Sequence, residues 1–457
     1  MAINTICALA SASGKAGVSV VRISGPEAMV ILEQLTHKRL PKSHRFSLRT
    51  LFHPKDKEYL DPLDEALIVL MSGPNSFTGE DVVELHLHGG IAIVEAVLEA
   101  CFATKLCRMA EPGEFTRRAF ENGRMDLTKA EAIGDLIDAE TQAQRRQAIQ
   151  QYDGAFYSKC LKWRTDLINA MASLDAAIDF PDEEDVPAGI DSRAFPIVQG
   201  LLSSITSALK NANAGLAVRD GFKISIIGPP NAGKSTLMNA LAGREAAIVS
   251  SIPGTTRDIV EVRLELGGYI VWLSDTAGLR DTNDEIEAEG VKRALVRAAE
   301  SDLRIYLHGI DQPAPDLTFA KECDFLLMNK VDLPESQRVE NVTNAKVFKN
   351  RELIERRVSL KSSEDIKEIK SLLEKVVVDR MSTGSAAPLI SRQRHKQLLM
   401  SAQENLEHAI MAMENNFPAD LIAEDIRLAA RDIGKITGEI DSEDVLDRIF
   451  GEFCIGK

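Results

Sequence analysis

Gly228-Pro229-Pro230-Asn231-Ala232-Gly233-Lys234-Ser235 decides the fold of this chain, because a strand must run into it and a helix out of it. The apolar run Lys223-Ile224-Ser225-Ile226-Ile227 just ahead reads as that strand. The glycines let successive backbone N–H groups turn inward around phosphate oxygens, at the start of a helix whose dipole favours negative charge. Four more motifs follow in order: Gly254-Thr255-Thr256-Arg257-Asp258, Asp275-Thr276-Ala277-Gly278, Asn329-Lys330-Val331-Asp332 and Ser359-Leu360-Lys361. One short pattern recurs by chance. Five in order, each beside a plausible strand, point to a domain that binds guanine nucleotide and hydrolyses GTP.

Each motif has an expected task. Lys234 reaches the β- and γ-phosphates, and the Ser235 hydroxyl sits on Mg²⁺. Thr256 completes the Mg²⁺ shell when the γ-phosphate is present. Asp275, ending the strand Ile270–Ser274, holds the metal through water. Gly278 reports the γ-phosphate with its N–H, having no side chain in the way. Asp332 accepts from the ring N–H and amino group of guanine, and adenine would leave that carboxylate unpaired. The nucleotide set therefore takes in Asn231, Ala232, Gly233, Lys234, Ser235 and Thr236, then Ser250, Ser251, Ile252, Pro253, Gly254, Thr255 and Thr256. Asp275, Thr276, Ala277, Gly278, Asn329, Lys330, Asp332, Ser359, Leu360 and Lys361 complete it.

Two departures from the small-GTPase pattern carry information. Leu279 stands where many GTPases place a glutamine that orients the attacking water. An apolar side chain cannot do this, and Glu287 in the acidic stretch Asp281 to Glu289 is the candidate replacement, against the plainer reading of a solvated surface acid. The second departure is Asn231. An arginine finger is worth on the order of 10³–10⁵ in rate. A monovalent cation held by Asn231 and by switch-loop carbonyls would occupy the same place; alternatively Asn231 caps the following helix.

At 457 residues the chain has room for about three domains on the usual ~150-residue prior. Its apolar content of 44% suffices for buried cores. No apolar run approaches the ~18 residues of a membrane helix, so no membrane association is expected. The first basic residue is Lys15, so Ile6 to Ala10 lacks the charged start of a signal peptide. Six cysteines, at 7, 101, 107, 160, 323 and 454, form no CxxC pair and fit a reducing, cytoplasmic setting. The net charge of −15 argues against loose electrostatic binding of nucleic acid, so RNA would be met through local clusters such as Arg117-Arg118 with Arg124, or through a helper protein.

Three textures run along the chain. Residues 1–120 alternate β-rich runs (Ser19–Ile23, Ala66–Leu70, Val82–His86) with turns and one helix from Gly90 to Thr104, the pattern of an α+β domain. From there to 217 the period becomes helical: Leu161, Leu167, Ile168, Met171, Leu174 and Ile178 mark one face, ending before Pro181. Leu201, Leu202, Ile205 and Leu209 mark another, closing near Gly215. The α/β GTPase domain occupies 218–378. Helical texture returns over 379–457, with stripes of Leu398, Leu399, Leu406, Ile410 and Met413, and of Leu421, Ile422, Ile426, Ala429 and Ile433. The expected architecture is a P-loop domain inserted into an α-helical domain that follows an N-terminal α+β domain. Cys454 would be exposed enough to react if nearby positive charge stabilised its thiolate, but by position alone it reads as an inert apolar filler in a terminal helix.

Several segments outside the GTPase motifs narrow the reading. They are Val20-Val21-Arg22-Ile23-Ser24-Gly25, Ser76-Phe77-Thr78-Gly79-Glu80-Asp81-Val82-Val83-Glu84-Leu85, and Glu111-Pro112-Gly113-Glu114-Phe115-Thr116-Arg117-Arg118-Ala119-Phe120. Asp126-Leu127 with Ala130-Glu131-Ala132-Ile133, Ala177–Pro181 and the terminal Phe453-Cys454-Ile455-Gly456-Lys457 complete them. With these the chain resembles, end to end, the MnmE/TrmE family of tRNA-modification GTPases, which act on the wobble uridine.

The resemblance implies a specific chemistry. The N-terminal domain would bind a one-carbon tetrahydrofolate (5-formyl or 5,10-methylene) and form a homodimer, with Arg22, Glu84, Arg124 and Lys457 at the folate positions. Arg22, Arg124 and Lys457 would serve the glutamate tail, and Glu84 the pterin. Cys454 matches the family's C-terminal cysteine. A flavoprotein partner carrying FAD would join it in a heterotetramer or larger complex, adding an aminomethyl or carboxymethylaminomethyl group to C5 of tRNA uridine 34. Asn231, Ser250, Ile252 and Thr255 fall on K⁺-binding positions, and Glu287 on the water-positioning glutamate. Ala16, His86, Leu87 and Arg124 depart from the family's usual residues. A different class, a ribosome-assembly switch GTPase that only binds RNA, is the alternative; Gly14-Lys15-Ala16-Gly17 superficially fits the GXXG clamp of a KH domain, but lies in strand-rich sequence.

Overall fold

The computed structural model describes residues 4–58, 60–179, 191–243, 261–275, 296, 298–313, 315, 317, 320–337, 353–382, 388–440 and 443–456. They fall into two compact units: Met1–Ile137 with Gln150–Leu201 and Ser401–Lys457, and Asp138–Ile149 with Leu202–Met400. Among the described residues no helix is long and apolar enough to cross a membrane.

The first unit contains a six-stranded sheet of β1 (Thr5–Leu9), β2 (Val18–Ser24), β3 (Ser47–Phe52), β4 (Pro62–Met71), β5 (Val82–His88) and β6 (Cys107–Met109). The order is β3-β4-β5-β2-β1-β6, antiparallel except for the β1–β6 pair. Strand alternation assigns the faces. Val21, Ile23, Ile68, Leu70, Val83 and Leu85 bury against helices α1 (Ala28–Thr36) and α2 (Ile91–Ala103), through Ile31, Leu35 and Val97. The intervening Val20, Arg22, Leu67, Val69, Glu84 and His86 occupy the opposite face. The expected strands and the α2 helix are present. Three strands were not anticipated: β1, whose apolar run is only five residues long, and the edge strands β3 and β6. Leu87, where glycine was expected, fills the core by the same parity.

The unit continues through α3 (Glu114–Glu121), α4 (Leu127–Asp138) and α6 (Ala155–Asp179); α5 (Gln142–Tyr152), α7 (Asp191–Lys210) and, later, α11 (Gln393–Glu414) carry the chain between units. Helix α6 packs along α12 (Ala419–Thr437). The α12 stripe is Ile422, Ile426, Ala429, Ile433 and Ile436; Leu421, expected on it, is 54% exposed. The final helix α13 (Glu443–Gly451) packs Ile449 and Phe450 against Leu127 and Ala130 of α4.

The second unit is built on β7 (Phe222–Ile227), β8 (Glu261–Leu266), β9 (Tyr269–Asp275), β10 (Leu303–Gly309), β11 (Phe325–Asn329) and β12 (Ile354–Arg357). Their order is β12-β11-β10-β7-β9-β8; all neighbours are parallel except the β8–β9 hairpin. Every residue of β10 and β11 is buried, as befits central parallel strands covered on both faces. One face packs on α8 (Ala212–Asp220), α9 (Lys234–Ala242) and α10 (Ser363–Met381), the other on Ala298, Leu317 and Ala320. The helical stripe expected to close near Gly215 ends earlier, at Lys210, and Gly215 lies inside α8. A Cβ there would sit 2.0 Å from the Ile390 carbonyl oxygen, so this glycine serves close packing and not a helix end.

Candidate functional site

The carboxyl ends of parallel strands β7, β9, β11 and β12 carry the phosphate loop, Asp275, Asn329–Asp332 and Ser359–Lys361, so distant motifs converge on one sheet edge. Ligands of open α/β sheets bind at such an edge. Gly228 leaves β7 so closely beneath β10 that a Cβ would stand 1.9 Å from the Leu307 carbonyl oxygen. Gly233, at φ +104°, is the N-cap of α9, with no side-chain cap. Asn231 therefore does not cap the helix; it is exposed, at φ +61°. Ser235 and Thr236 lie exposed in the first turn of α9, whose leading N–H groups have no intrahelical acceptor. Lys234 folds back over the loop and donates to the carbonyls of Gly228 (2.9 Å) and Pro229 (3.1 Å). Burial pushes its ammonium pKa down, with nearby Asp275 opposing.

Asn329 joins the phosphate loop to the base-side loop. Its Nδ2 donates to the carbonyl of buried Ala232 (2.8 Å), and its Oδ1 accepts from Leu360 N–H (3.1 Å). Asp332 accepts from Lys361 Nζ (2.8 Å) and Ser359 Oγ (3.0 Å), and these contacts hold its carboxyl below the usual range. Lys330, at φ +67°, pairs with Asp311 at 2.9 Å. Asp311, beyond β10, was not singled out in the sequence, where no motif marks it. Ser250, Ser251, Ile252, Pro253, Gly254, Thr255, Thr256, Thr276, Ala277, Gly278 and Glu287 lie outside the described residues, as does Lys457.

On the outer face of the N-terminal sheet Arg22 and Glu84 are direct cross-strand partners. Arg22 donates to Glu84 Oε1 at 2.9 Å, and its guanidinium stacks over Phe77 (5.1 Å) and Phe115 (5.6 Å). Arg22 and Glu84 are thus bonded to each other, whereas the expected division set Arg22 to a tail and Glu84 to a pterin. His86 lies 3.4 Å from the other Glu84 oxygen and meets Phe46 edge-on at 5.5 Å. Arg124 is exposed, its stem alongside Gly79 in the loop that carries Phe77.

That loop is pinned by residues whose roles no sequence pattern revealed. Ser24 Oγ donates to Glu80 (2.6 Å) and meets Thr78 Oγ1 (2.7 Å). Arg118 bridges Glu80 (3.1 Å) and Glu114 (2.8 Å). Although burial opposes it, Arg108 and Arg118 hold the Glu114 carboxyl below its usual range. The chain end reaches the same region. Gly113 N–H donates to the Cys454 carbonyl (3.4 Å), Ile455 bridges Pro112, and a Cβ on Gly456 would stand 1.9 Å from the Leu9 oxygen. Cys454 is exposed beyond α13 and not the buried helical filler expected.

Comparison with known proteins extends this geometry. Residues 5–124 match the family described as GTP-binding protein TrmE N-terminus, and residues 127–454 match the MnmE helical domain. The chain is 48% identical over 456 residues to the tRNA modification GTPase MnmE of Phenylobacterium zucineum, covering 99% of this chain and 100% of that protein. The corresponding proteins of Caulobacter vibrioides and Parvibaculum lavamentivorans are 45% and 44% identical, each over 99% of this chain and 100% of their own length. A helical domain interrupted by a P-loop fold, a TrmE N-terminal sheet and full-length likeness together place this chain in the MnmE family of tRNA modification GTPases.

Proposed function

We propose that this GTPase hydrolyses GTP under K⁺ activation and, with an FAD-bearing flavoprotein partner, adds an aminomethyl or carboxymethylaminomethyl group to C5 of tRNA uridine 34. The observation that carries the GTPase chemistry is the bond between Asn329 and the phosphate loop, which locks base-side and phosphate-side motifs into one site. Lys234 holds the β- and γ-phosphates, exchanging its bonds to loop carbonyls for phosphate oxygens. Asp332 reads guanine, with Lys361 and Ser359 fixing its carboxylate. Asn329, Lys330 and Leu360 shape the base pocket.

The exposed Ser235 hydroxyl at the start of α9 suits a Mg²⁺ ligand, with Thr256 as its second protein ligand and Asp275 behind it. Bound Mg²⁺ would neutralise phosphate charge. Asn231, exposed and not used as a cap, has its amide oxygen available for K⁺, with Ser250, Ile252 and Thr255 as the partners in the switch loop. Glu287 positions the attacking water where Leu279 cannot.

The Arg22–Glu84 pair, with Phe46, Phe77 and Phe115 around it, suits a one-carbon tetrahydrofolate. Glu84 spends its contacts on Arg22 and His86 and, having about four lone-pair sites, keeps capacity for a pterin's N–H donors. Such a cofactor supplies the added carbon. Arg124 and Lys457 serve its anionic tail. Homodimerisation would run through the N-terminal domain, whose outer sheet face leaves Phe46, Leu48 and Leu67 exposed. Cys454 is held beside Gly113, and we assign it to the modification chemistry.

The test is GTP turnover in K⁺ against Na⁺ at matched ionic strength, for the wild type and Asn231→Ala. Strong K⁺ stimulation that the variant lacks is expected. Equal slow turnover in both salts would defeat the cation mechanism and leave a partner-activated RNA switch as the better account.

A further inference from the structure

Asp64 and His88 form a second pair on the N-terminal sheet, separate from Arg22 and Glu84. Their side chains are 6% and 70% exposed, so a buried carboxylate holds a solvent-facing imidazole. One Asp64 oxygen accepts from the backbone N–H of His88 (2.8 Å), and the other lies 2.7 Å from its Nδ1. A carboxylate can only accept, so the neutral ring carries its proton on Nδ1 and keeps a lone pair on Nε2. The two contacts fix both tautomer and ring orientation, leaving Nε2 turned away from Asp64.

His88 faces solvent on the strand that also carries Glu84. Alternation along β5 gives Glu84, His86 and His88 positions that share one face, with His88 roughly 13 Å from Glu84 at strand rise. The turn Gly14–Gly17 lies against the next residue: Ala16 N–H donates to the Gly89 carbonyl (3.1 Å), and a Cβ on Gly89 would stand 2.2 Å from the Ala16 oxygen. Asp64 is the charged partner that touches His88; Glu84 and His86 share its face of β5 further along the strand, and Lys15 and Glu65 are the chain neighbours of Ala16 and Asp64.

We propose that His88 is the base that takes a proton from the incoming amine, and that Asp64 is its positioning residue. The inference rests on the reading that an aminomethyl group is assembled on this sheet. At neutral pH a primary amine or ammonia is protonated and has no lone pair with which to form a C–N bond. His88 Nε2 accepts one proton from the ammonium nitrogen, giving the neutral amine and an imidazolium. No electrons are exchanged, and the proton passes to water once the amine has reacted.

The experiment uses the full chain with its flavoprotein partner, comparing wild type, His88→Gln and Asp64→Asn. His88→Gln is expected to lower uridine modification about 10²-fold or more at neutral pH. The defect shrinks as pH rises towards the amine's own ionisation, and when methoxyamine, uncharged at neutral pH, replaces the amine. A loss equal at every pH and with both amines indicates a structural role and overturns the proposal, as does wild-type modification by His88→Gln. A readout independent of turnover is acylation of His88 by diethylpyrocarbonate, mapped by peptide mass. It is expected to slow several-fold in Asp64→Asn; an unchanged rate removes Asp64 from the positioning role. Binding of 5-formyltetrahydrofolate separates the two levels: no binding by the wild type defeats the folate reading and this inference with it. Intact binding with His88→Gln fully active defeats this inference alone.

Discussion

Asn329→Ala is the sharpest test of how the nucleotide site is held together. Asn329 is buried, and its amide makes two bonds: a donation to the Ala232 carbonyl at 2.8 Å and an acceptance from Leu360 N–H at 3.1 Å. Ala232 and Leu360 are also buried, so water does not replace the lost partner. Each backbone group left unpaired costs about 1–3 kcal/mol, giving a loss of about 2–6 kcal/mol for the pair. For a unit of this size that is roughly 4–24 °C in midpoint. The chain has two tryptophans, so in a Trp163→Phe background Trp272, on β9 of the second unit, reports its unfolding alone. Because the same bonds position the loop for phosphate, GDP affinity should fall at least tenfold, the equivalent of about 1.4 kcal/mol. Asn329→Asp should be no milder, since a carboxylate keeps the acceptor but faces the Ala232 carbonyl without a donor. A midpoint within about 2 °C of the parent, with unchanged GDP affinity, would refute the idea that this side chain couples the two loops.

Three further outcomes are expected. Arg304 and Asp324 are an ion pair with both side chains fully buried (2.6 Å), so Asp324→Ala should cost about 3–5 kcal/mol in urea unfolding by stranding the guanidinium, whereas Arg304→Met with Asp324→Leu recovers only part of it, because Asp324 also accepts from the Arg304 and Lys321 backbone N–H groups. Gly113→Ala forces φ +67° on a residue whose Cβ would stand 2.4 Å from the Phe450 carbonyl oxygen, and should speed hydrogen exchange across 443–456 while leaving GTP turnover intact. Lys234 has its pKa lowered by burial, so between that value and lysine's ordinary one the folded chain binds fewer protons than the unfolded. Nucleotide-free stability due to this group therefore rises with pH in that window, while GDP affinity, which needs the ammonium, falls; isothermal titration at alkaline pH should show that fall in the wild type and not in Lys234→Ala.

The GTPase unit was the most legible part because its motifs are local. Gly233 sits at φ +104°, outside what a side chain adopts with ease, while Asn231 at +61° lies in the left-handed region asparagine tolerates. Strands β7 and β9 announce themselves by short apolar runs ending at Gly228 and Asp275. β12 is harder to read: its sequence, Ile-Glu-Arg-Arg, has one apolar residue, and it joins the sheet by parallel pairing with β11. The Gly215 error has the same origin, since a glycine demanded by the Ile390 carbonyl looks in sequence like a helix stop. The Asp311–Lys330 pair and the Arg118 bridge join residues 19 and 38 positions apart, and no periodicity reports such meetings.

Arg22 and Glu84, 62 residues apart, both fall on folate positions by resemblance, but their bond depends on strand register. A slip of one residue would oppose Arg22 to Val83 or Leu85 and turn His86 into the core, because strand faces alternate. What forbids the slip is the apolar set Val21, Ile23, Val83 and Leu85, all fully buried against α1 and α2. A cross-strand ion pair that is about one-fifth exposed on each side contributes about 1 kcal/mol or less, too little to choose the register. Burying four aliphatic side chains is worth several times more, at about 1.5–3 kcal/mol each. The charged pair is therefore a passenger of the core. Arg22→Ala should leave the β2–β5 amide pairing intact by hydrogen exchange while removing the proposed folate binding. Val83→Lys, which touches no ligand, should lose both. If Arg22→Ala instead frees the β2 and β5 amides, the ion pair and not the core sets the register.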